Sequence, residues 1–354
     1  MGARARGGGR LSTAYVGSLT TPQRGGSGTG LTVHRVRDDD PGAEWELLQT
    51  VPETNPSWLV PSADGTRLHA VHADGTSATT YAVEAGTGLL ERLGTAACGG
   101  RNPAHAALVG GYLLTAEYAT GTVSALPVRA DGTLGDAEHV LALPGEPGPH
   151  PVEQASSHPH QVLPVSESTA WVCDKGLDRL FLLRVGDGGL EVRQVVESLP
   201  GSGPRHATAH PRLPRLYVAD ELSSSVTVLD TSGEVPVRVQ VLPTLPAGAD
   251  PAGNTPAAVV VARGGGSVHV TNRGHDSVAS FAVDPASGDL RPVRVSRGGA
   301  VPRFAAAGPR GDTLLVAHER GHDVVEVDVD GAGRLGAARV RARTPSPVCV
   351  VLLP

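Results

Sequence analysis

Aromatic residues are scarce in this chain: 3 Phe, 3 Trp and 5 Tyr among 354 residues. Its core has to be filled by Val, Leu and Ala, which suits many short strands better than a few long helices. Cysteine is as sparse. Cys98, Cys173 and Cys349 are odd in number, far apart and without the close pairs of zinc sites or disulfide frameworks, so they read as reduced, buried thiols of a cytoplasmic protein. No apolar run is long enough to span a bilayer, and the basic residues of positions 1–10 precede no apolar stretch of the signal-peptide kind. Basic runs and aromatic-basic stripes are also missing, and a net charge of −6 gives neither nucleic acid nor an anionic membrane a reason to bind.

What the chain has in quantity is turn chemistry, with 46 Gly and 29 Pro, and a repeat. The stretch from Pro204 to Asp230 shows the unit: a strand opening at Pro204-Arg205, a second at Leu216-Tyr217-Val218-Ala219 and a third at Val226-Thr227-Val228-Leu229, bounded by Pro, Gly, Asp and Ser. Strands of the second kind recur at Ala14-Tyr15-Val16-Gly17, Leu68-His69-Ala70-Val71, Leu113-Leu114-Thr115-Ala116, Ala170-Trp171-Val172-Cys173, Val268-His269-Val270-Thr271 and Leu314-Leu315-Val316-Ala317. The spacing of roughly fifty residues is that of propeller blades.

Opening strands precede all but the first of these, at Pro56, Pro103, Pro159, Pro204, Pro256 and Pro302. The first repeat lacks one, yet Pro347-Val348-Cys349-Val350-Val351-Leu352 is an opening strand without a repeat. The C-terminal strand is therefore expected to complete the N-terminal blade, which leaves no open sheet edge between the ends. The expectation is all-β: one seven-bladed β-propeller domain over 11–354, preceded by a disordered tail at 1–10.

Aligning the repeats gives two rings of equivalent positions. Residues after the opening proline are Ser57, Ala104, His160, Arg205, Ala257 and Arg303; residues after the second strand are Ala73, Tyr118, Lys175, Glu221, Arg273 and Glu319. Opening strands lie nearest a propeller's axis, so both rings should surround one end of the central channel and bring several ionisable groups into one pocket.

Asn102-Pro103, Ser157-His158-Pro159-His160-Gln161-Val162, Gly203-Pro204-Arg205-His206, Asp220-Glu221-Leu222-Ser223-Ser224, Gly253-Asn254-Thr255, Asn272-Arg273-Gly274-His275-Asp276-Ser277 and Val301-Pro302-Arg303 resemble the seven-bladed β-propeller lactonase family. That family includes the propeller form of 6-phosphogluconolactonase and the fungal carboxy-cis,cis-muconate cyclase. The resemblance runs from about Ala14 to Leu352. One departure is at Pro256-Ala257-Ala258-Val259, where many relatives carry an acidic residue.

The resemblance implies an active site at His160, Arg205, Glu221 and Arg273, and hydrolysis of a sugar lactone, 6-phosphogluconolactone first among them. On this reading Glu221 is the general base, Arg205 and Arg273 hold the anionic substrate and the oxyanion, and His160 is the acid. Lys175, His206, His275 and Arg303 join Arg205 and Arg273 as substrate-binding candidates. Each has a structural alternative: an ion pair for Glu221 with Arg273, blade-to-blade backbone contacts for Arg205 and Arg303, a satisfied channel histidine for His160, and solvated turn positions for Lys175 and Glu319. His158, His160, His206 and His275 match no compact zinc spacing, so no metal is expected. No phosphate loop is present, and no cofactor is expected. The expected partner is a small anionic lactone, and the expected assembly a monomer or weak homo-oligomer. A lactonising cycloisomerase and a non-enzymatic binding platform are the alternative functions.

Overall fold

Strands form where apolar and polar residues alternate between Gly, Asp and Ser turns. A computed structural model, which describes residues 11–37, 42–186 and 188–354, arranges them as seven four-stranded antiparallel sheets. The innermost strands are Pro347–Leu353, Pro56–Pro61, Pro103–Val109, Pro159–Pro164, Pro204–Ala209, Thr255–Ala262 and Pro302–Ala307, and each packs on the next around a closed ring. We number the blades 1 to 7 in that order. Six of the expected opening strands are thus innermost in blades 2 to 7, and the orphan strand at the C-terminus is innermost in blade 1.

Closure takes place inside blade 1. Leu11–Ser18 pairs antiparallel with Pro347–Leu353, placing Thr13 opposite Leu353, Tyr15 opposite Val351 and Gly17 opposite Cys349. The first and last strands of the ring are therefore hydrogen-bonded neighbours within one sheet. The expected tail at 1–10 lies outside the described residues.

The core is divided among the wedges between blades. Ala107, Leu114 and Val123 of blade 3 pack with Val162, Val172 and Phe181 of blade 4, and Tyr217 and Val228 of blade 5 with Val259, Val270 and Phe281 of blade 6. Such wedges are thin, so Val, Leu and Ala fill them and few aromatics are needed. Two of the five tyrosines tie blades together: Tyr15 donates to the Gly88 carbonyl and Tyr217 to that of Gly288, each at 2.8 Å. The outermost strand of blade 5, Val237–Pro243, alternates exposed and half-buried positions from Val239 onward because only one of its faces meets the wedge. Cys98, Cys173 and Cys349 are buried free thiols, and burial pushes those of Cys98 and Cys349 up to about 12. No helix among the described residues is long and apolar enough to cross a membrane.

Candidate active site

One backbone irregularity, repeated seven times, builds the site. In blade 4, Pro159 pairs with Asp174 and Gln161 with Cys173, which leaves His160 unpaired between them; the same bulge isolates Ser57, Ala104, Arg205, Arg303 and Val348. In blade 6 the bulge is longer and takes in Ala257 and Ala258. A bulged residue is re-aimed relative to its pleat, and here it turns toward the axis. The second ring is locked to the first through the backbone. The N–H groups of Leu19, Ala73, Tyr118, Lys175, Glu221 and Glu319 donate to the carbonyls of Ser346, Asn55, Asn102, His158, Gly203 and Val301, each two residues ahead of a bulged residue.

In five of the six blades this link comes with an unusual turn, His158 of blade 4 being the exception. Asn55, Asn102, Gly203, Val301 and Ser346 have φ between 44° and 64°, the left-handed region that suits Gly and Asn. Val301, being β-branched, is the strained case. It is held there by Asp276, which accepts its N–H at 2.9 Å, and by the Glu319 N–H on its carbonyl.

At this end of the channel lies a cavity of about 200 Å³, the space of roughly seven water molecules. Its wall holds Ser57, Ala104, His160, Arg205, Arg303 and Val348 from the first ring and Leu19, Ala73, Tyr118, Lys175, Glu221 and Arg273 from the second. Trp58, Asn102, His206 and Arg24 complete it. Five cationic side chains, Arg24, Lys175, Arg205, Arg273 and Arg303, therefore face one carboxylate, Glu221, in a protein whose net charge is −6.

Glu221 is the hub. Its Oε2 lies 2.9 Å from both Arg205 Nε and Arg273 Nη2, and its Oε1 lies 3.2 Å from Lys175 Nζ. Burial alone would raise this carboxyl, but Arg273, Lys175 and Arg205 outweigh burial and hold it down to about 2. Neither Arg205 Nε nor Arg273 Nη2 points along a hydrogen bond despite that proximity. Both donors are thus in Coulombic contact with Glu221 yet unspent. Arg205 also donates through Nη1 to the Ala257 carbonyl at 2.5 Å, and Arg273 through Nε to that of Thr255 at 3.2 Å. Burial and then the neighbouring Arg273 disfavour the charge of Arg205.

His160 sits apart from the carboxylate. Its ring meets His206 at 5.1 Å and Tyr118 at 5.8 Å between centroids, and its Nδ1 is buried without a hydrogen-bond partner. Burial, then Arg205 and His206, push its imidazole well below the ordinary range, so it is neutral at neutral pH. His206, Trp58, His105 and Phe304 form an aromatic cluster beneath it, with Trp58 and His105 centroids 3.9 Å apart.

Of the candidates named from sequence, His160, Arg205, Glu221, Arg273, Lys175, His206 and Arg303 converge on this cavity. His275 does not. It bonds Ser277 Oγ at 2.7 Å and Arg297 Nη2 at 3.1 Å, because it lies two residues past Arg273 on a turn that has already left the ring. Lys175 and Glu319 are buried rather than solvated, at 3% and 6% exposure: the backbone link draws both inward, where Lys175 meets Glu153 and Glu221, and Glu319 meets Arg303 at 3.4 Å. The structural alternatives also hold in part. Glu221 and Arg273 are an ion pair, and Arg205 does bind a carbonyl of the next blade. Arg24, Trp58 and Glu153 escaped the sequence reading. Trp58 stands one position past the first ring, a column the repeat alignment could have tabulated; Arg24 and Glu153 come from connections with no counterpart in other repeats. No group of three or more His, Cys, Asp or Glu among the described residues is arranged to hold a metal ion.

The fold and site together define a propeller with a cation-rich axial pocket. A family model described as Lactonase, 7-bladed beta-propeller matches residues 13–352, and the chain belongs to that family. It is 32% identical to a 6-phosphogluconolactonase of Bacillus subtilis, covering 96% of this chain and 99% of the relative. Among solved structures, the periplasmic gluconolactonase of Pseudomonas aeruginosa superposes with a TM-score of 0.87 at 28% identity, over 98% of this chain and 99% of the other. A putative 6-phosphogluconolactonase from Bacteroides uniformis gives the same TM-score at 26% identity, over 97% and 99%.

Proposed function

We propose that this chain hydrolyses an anionic sugar lactone, 6-phosphogluconolactone above others, a step of the pentose phosphate pathway. The observation that carries the reading is the lining of the axial pocket, which Arg24, Lys175, Arg205, Arg273 and Arg303 reach together while Glu221 is its one carboxylate, the partners Asp74, Glu153 and Glu319 standing outside the lining. Guanidinium groups suit it because their planar fork grips phosphate or carboxylate at two points. The Bacillus subtilis relative, similar over nearly its whole length, carries this activity in its name.

The electrostatics revise the roles expected from sequence. Both oxygens of Glu221 are already engaged, Oε2 by Arg205 and Arg273 and Oε1 by Lys175, so the carboxylate serves to position those three cations. A neutral His160 has no proton to give at first but can accept one. It takes a proton from water as the oxygen attacks the lactone carbonyl, and the positive charge of Arg205 and Arg273 stabilises the oxyanion. His160 then returns the proton to the ring oxygen as the C–O bond breaks, leaving the open-chain acid.

The test is the hydrolysis of freshly generated 6-phosphogluconolactone above its spontaneous rate, by wild type and Arg273→Ala. Clear acceleration that falls roughly 10²-fold or more in the variant is expected. No acceleration by folded wild type would refute the reading. Comparing 6-phosphogluconolactone with unphosphorylated gluconolactone separates the activities named for the Bacillus and Pseudomonas relatives.

A further inference from the structure

Lys175 faces the pocket, yet its charge is already answered. Its Nζ lies 3.2 Å from Glu221 Oε1 and 2.5 Å from Glu153 Oε2, and stands over the Tyr118 ring, 5.1 Å from the centroid. An ammonium has three donors. Two are committed to carboxylates and the remaining side is covered by an aromatic face. An anionic ligand can use Lys175 only if one carboxylate withdraws.

The two carboxylates are not equivalent. The Glu221 side chain is 10% exposed and gripped by two arginines besides Lys175. The Glu153 side chain is 42% exposed and, among the described residues, has Lys175 as its one ion-pair partner. Water rehydrates Glu153 at small cost on release, whereas releasing Glu221 would strand a buried charge. Glu153 also sits on a frame that need not move. It belongs to the 143–158 connection between blades 3 and 4, pinned by Gln154 Nε2 on the Lys175 carbonyl and by the Gly148 N–H on that of Gly176, each at 2.8 Å.

We propose that Glu153 is a displaceable counter-ion for Lys175, which the phosphate or carboxylate of a ligand replaces, so that this residue sets the affinity of the pocket for anions. The proposal rests on the anionic-ligand reading above. In the empty site Glu153 keeps Lys175 protonated and in place, and on binding it swings into solvent while the connection stays anchored. Its negative charge then discriminates by strength: a dianionic phosphate competes for Lys175 better than a neutral lactone or a singly charged carboxylate.

Calorimetric titration of inorganic phosphate and of 6-phosphogluconate into wild type, Glu153→Gln, Lys175→Met and the double variant tests this. Glu153→Gln is expected to bind both anions roughly threefold to tenfold more tightly than wild type, from the loss of one charge-assisted hydrogen bond that competes with the ligand. In the Lys175→Met background the same substitution is expected to change affinity by less than about twofold. Equal affinity of Glu153→Gln and wild type overturns the proposal, as does the same tightening without Lys175, which would mark a general field effect. If wild type binds neither anion and hydrolyses no lactone, the functional reading fails with it; if wild type binds and hydrolyses while Glu153→Gln matches it, only the Glu153 proposal fails.

Discussion

Replacing Glu221 by Gln keeps the shape of the hub and deletes its charge. Three buried cations then lose their common partner, and removing one member of a buried ionic group costs about 3–5 kcal/mol. The low end applies here, because Lys175 keeps Glu153, Arg205 keeps the Ala257 carbonyl and Arg273 that of Thr255. An unfolding entropy of about 2 cal/mol/K per residue gives a 354-residue chain ~0.7 kcal/mol/K. A loss of ~3 kcal/mol therefore lowers Tm by about 4 °C. Phosphate should restore part of this, since it supplies the negative charge the cations lack. If it binds Glu221→Gln tenfold more tightly than wild type, saturating phosphate raises the variant's Tm by about 2 °C more than it raises that of wild type. Differential scanning fluorimetry with and without phosphate, at constant ionic strength, reads both quantities. A variant as stable as wild type, with the same phosphate response, would refute the idea that Glu221 holds a crowded cationic site together.

Two further outcomes follow from buried titrating groups. If the neutral His160 accepts the proton from water, Asn at this position should lower kcat by roughly 10²- to 10⁴-fold. The wild-type rate should then hold as pH falls through the ordinary imidazole range, because burial and Arg205 depress this group; an acid limb near pH 6.5 would remove His160 from the role. Glu117 and Asp220 are each raised by burial to about 7. In the fold they hold protons that the unfolded chain has released, so their contribution to stability is full below about pH 4 and lost as pH climbs through about 7. Buried neutral histidines such as His34, His69 and His269 act in the opposite sense below pH 6.5. Differences from wild type isolate the acids: Glu117→Gln and Asp220→Asn should gain on wild type between pH 5 and pH 8, by on the order of 3 kcal/mol each. A difference flat with pH would refute this.

The sequence by itself determined the ring and its closure. A period of about fifty residues repeats the same strand openings and turns, and an orphan strand at Pro347–Leu353 matches the one repeat that lacks an inner strand. Periodicity also placed both rings of site residues, because every blade carries a bulge after its opening proline, longer in blade 6, and the other six share the same backbone link to the second ring. Local geometry that recurs can be aligned, and alignment substitutes for coordinates. The tertiary structure alone decided the electrostatics. Lys175 is buried and neutralised because Glu153 reaches it from the 143–158 connection, Arg24 enters from a loop of blade 1 clamped to Asp74 at 2.5 Å, and His275 turns away to Arg297. The proposed role of His160 as proton acceptor rests on the same origin, since its charge is set by burial and by Arg205 from the next blade. Burial and charge pairing sum over side chains distant in sequence, and no local period carries that sum.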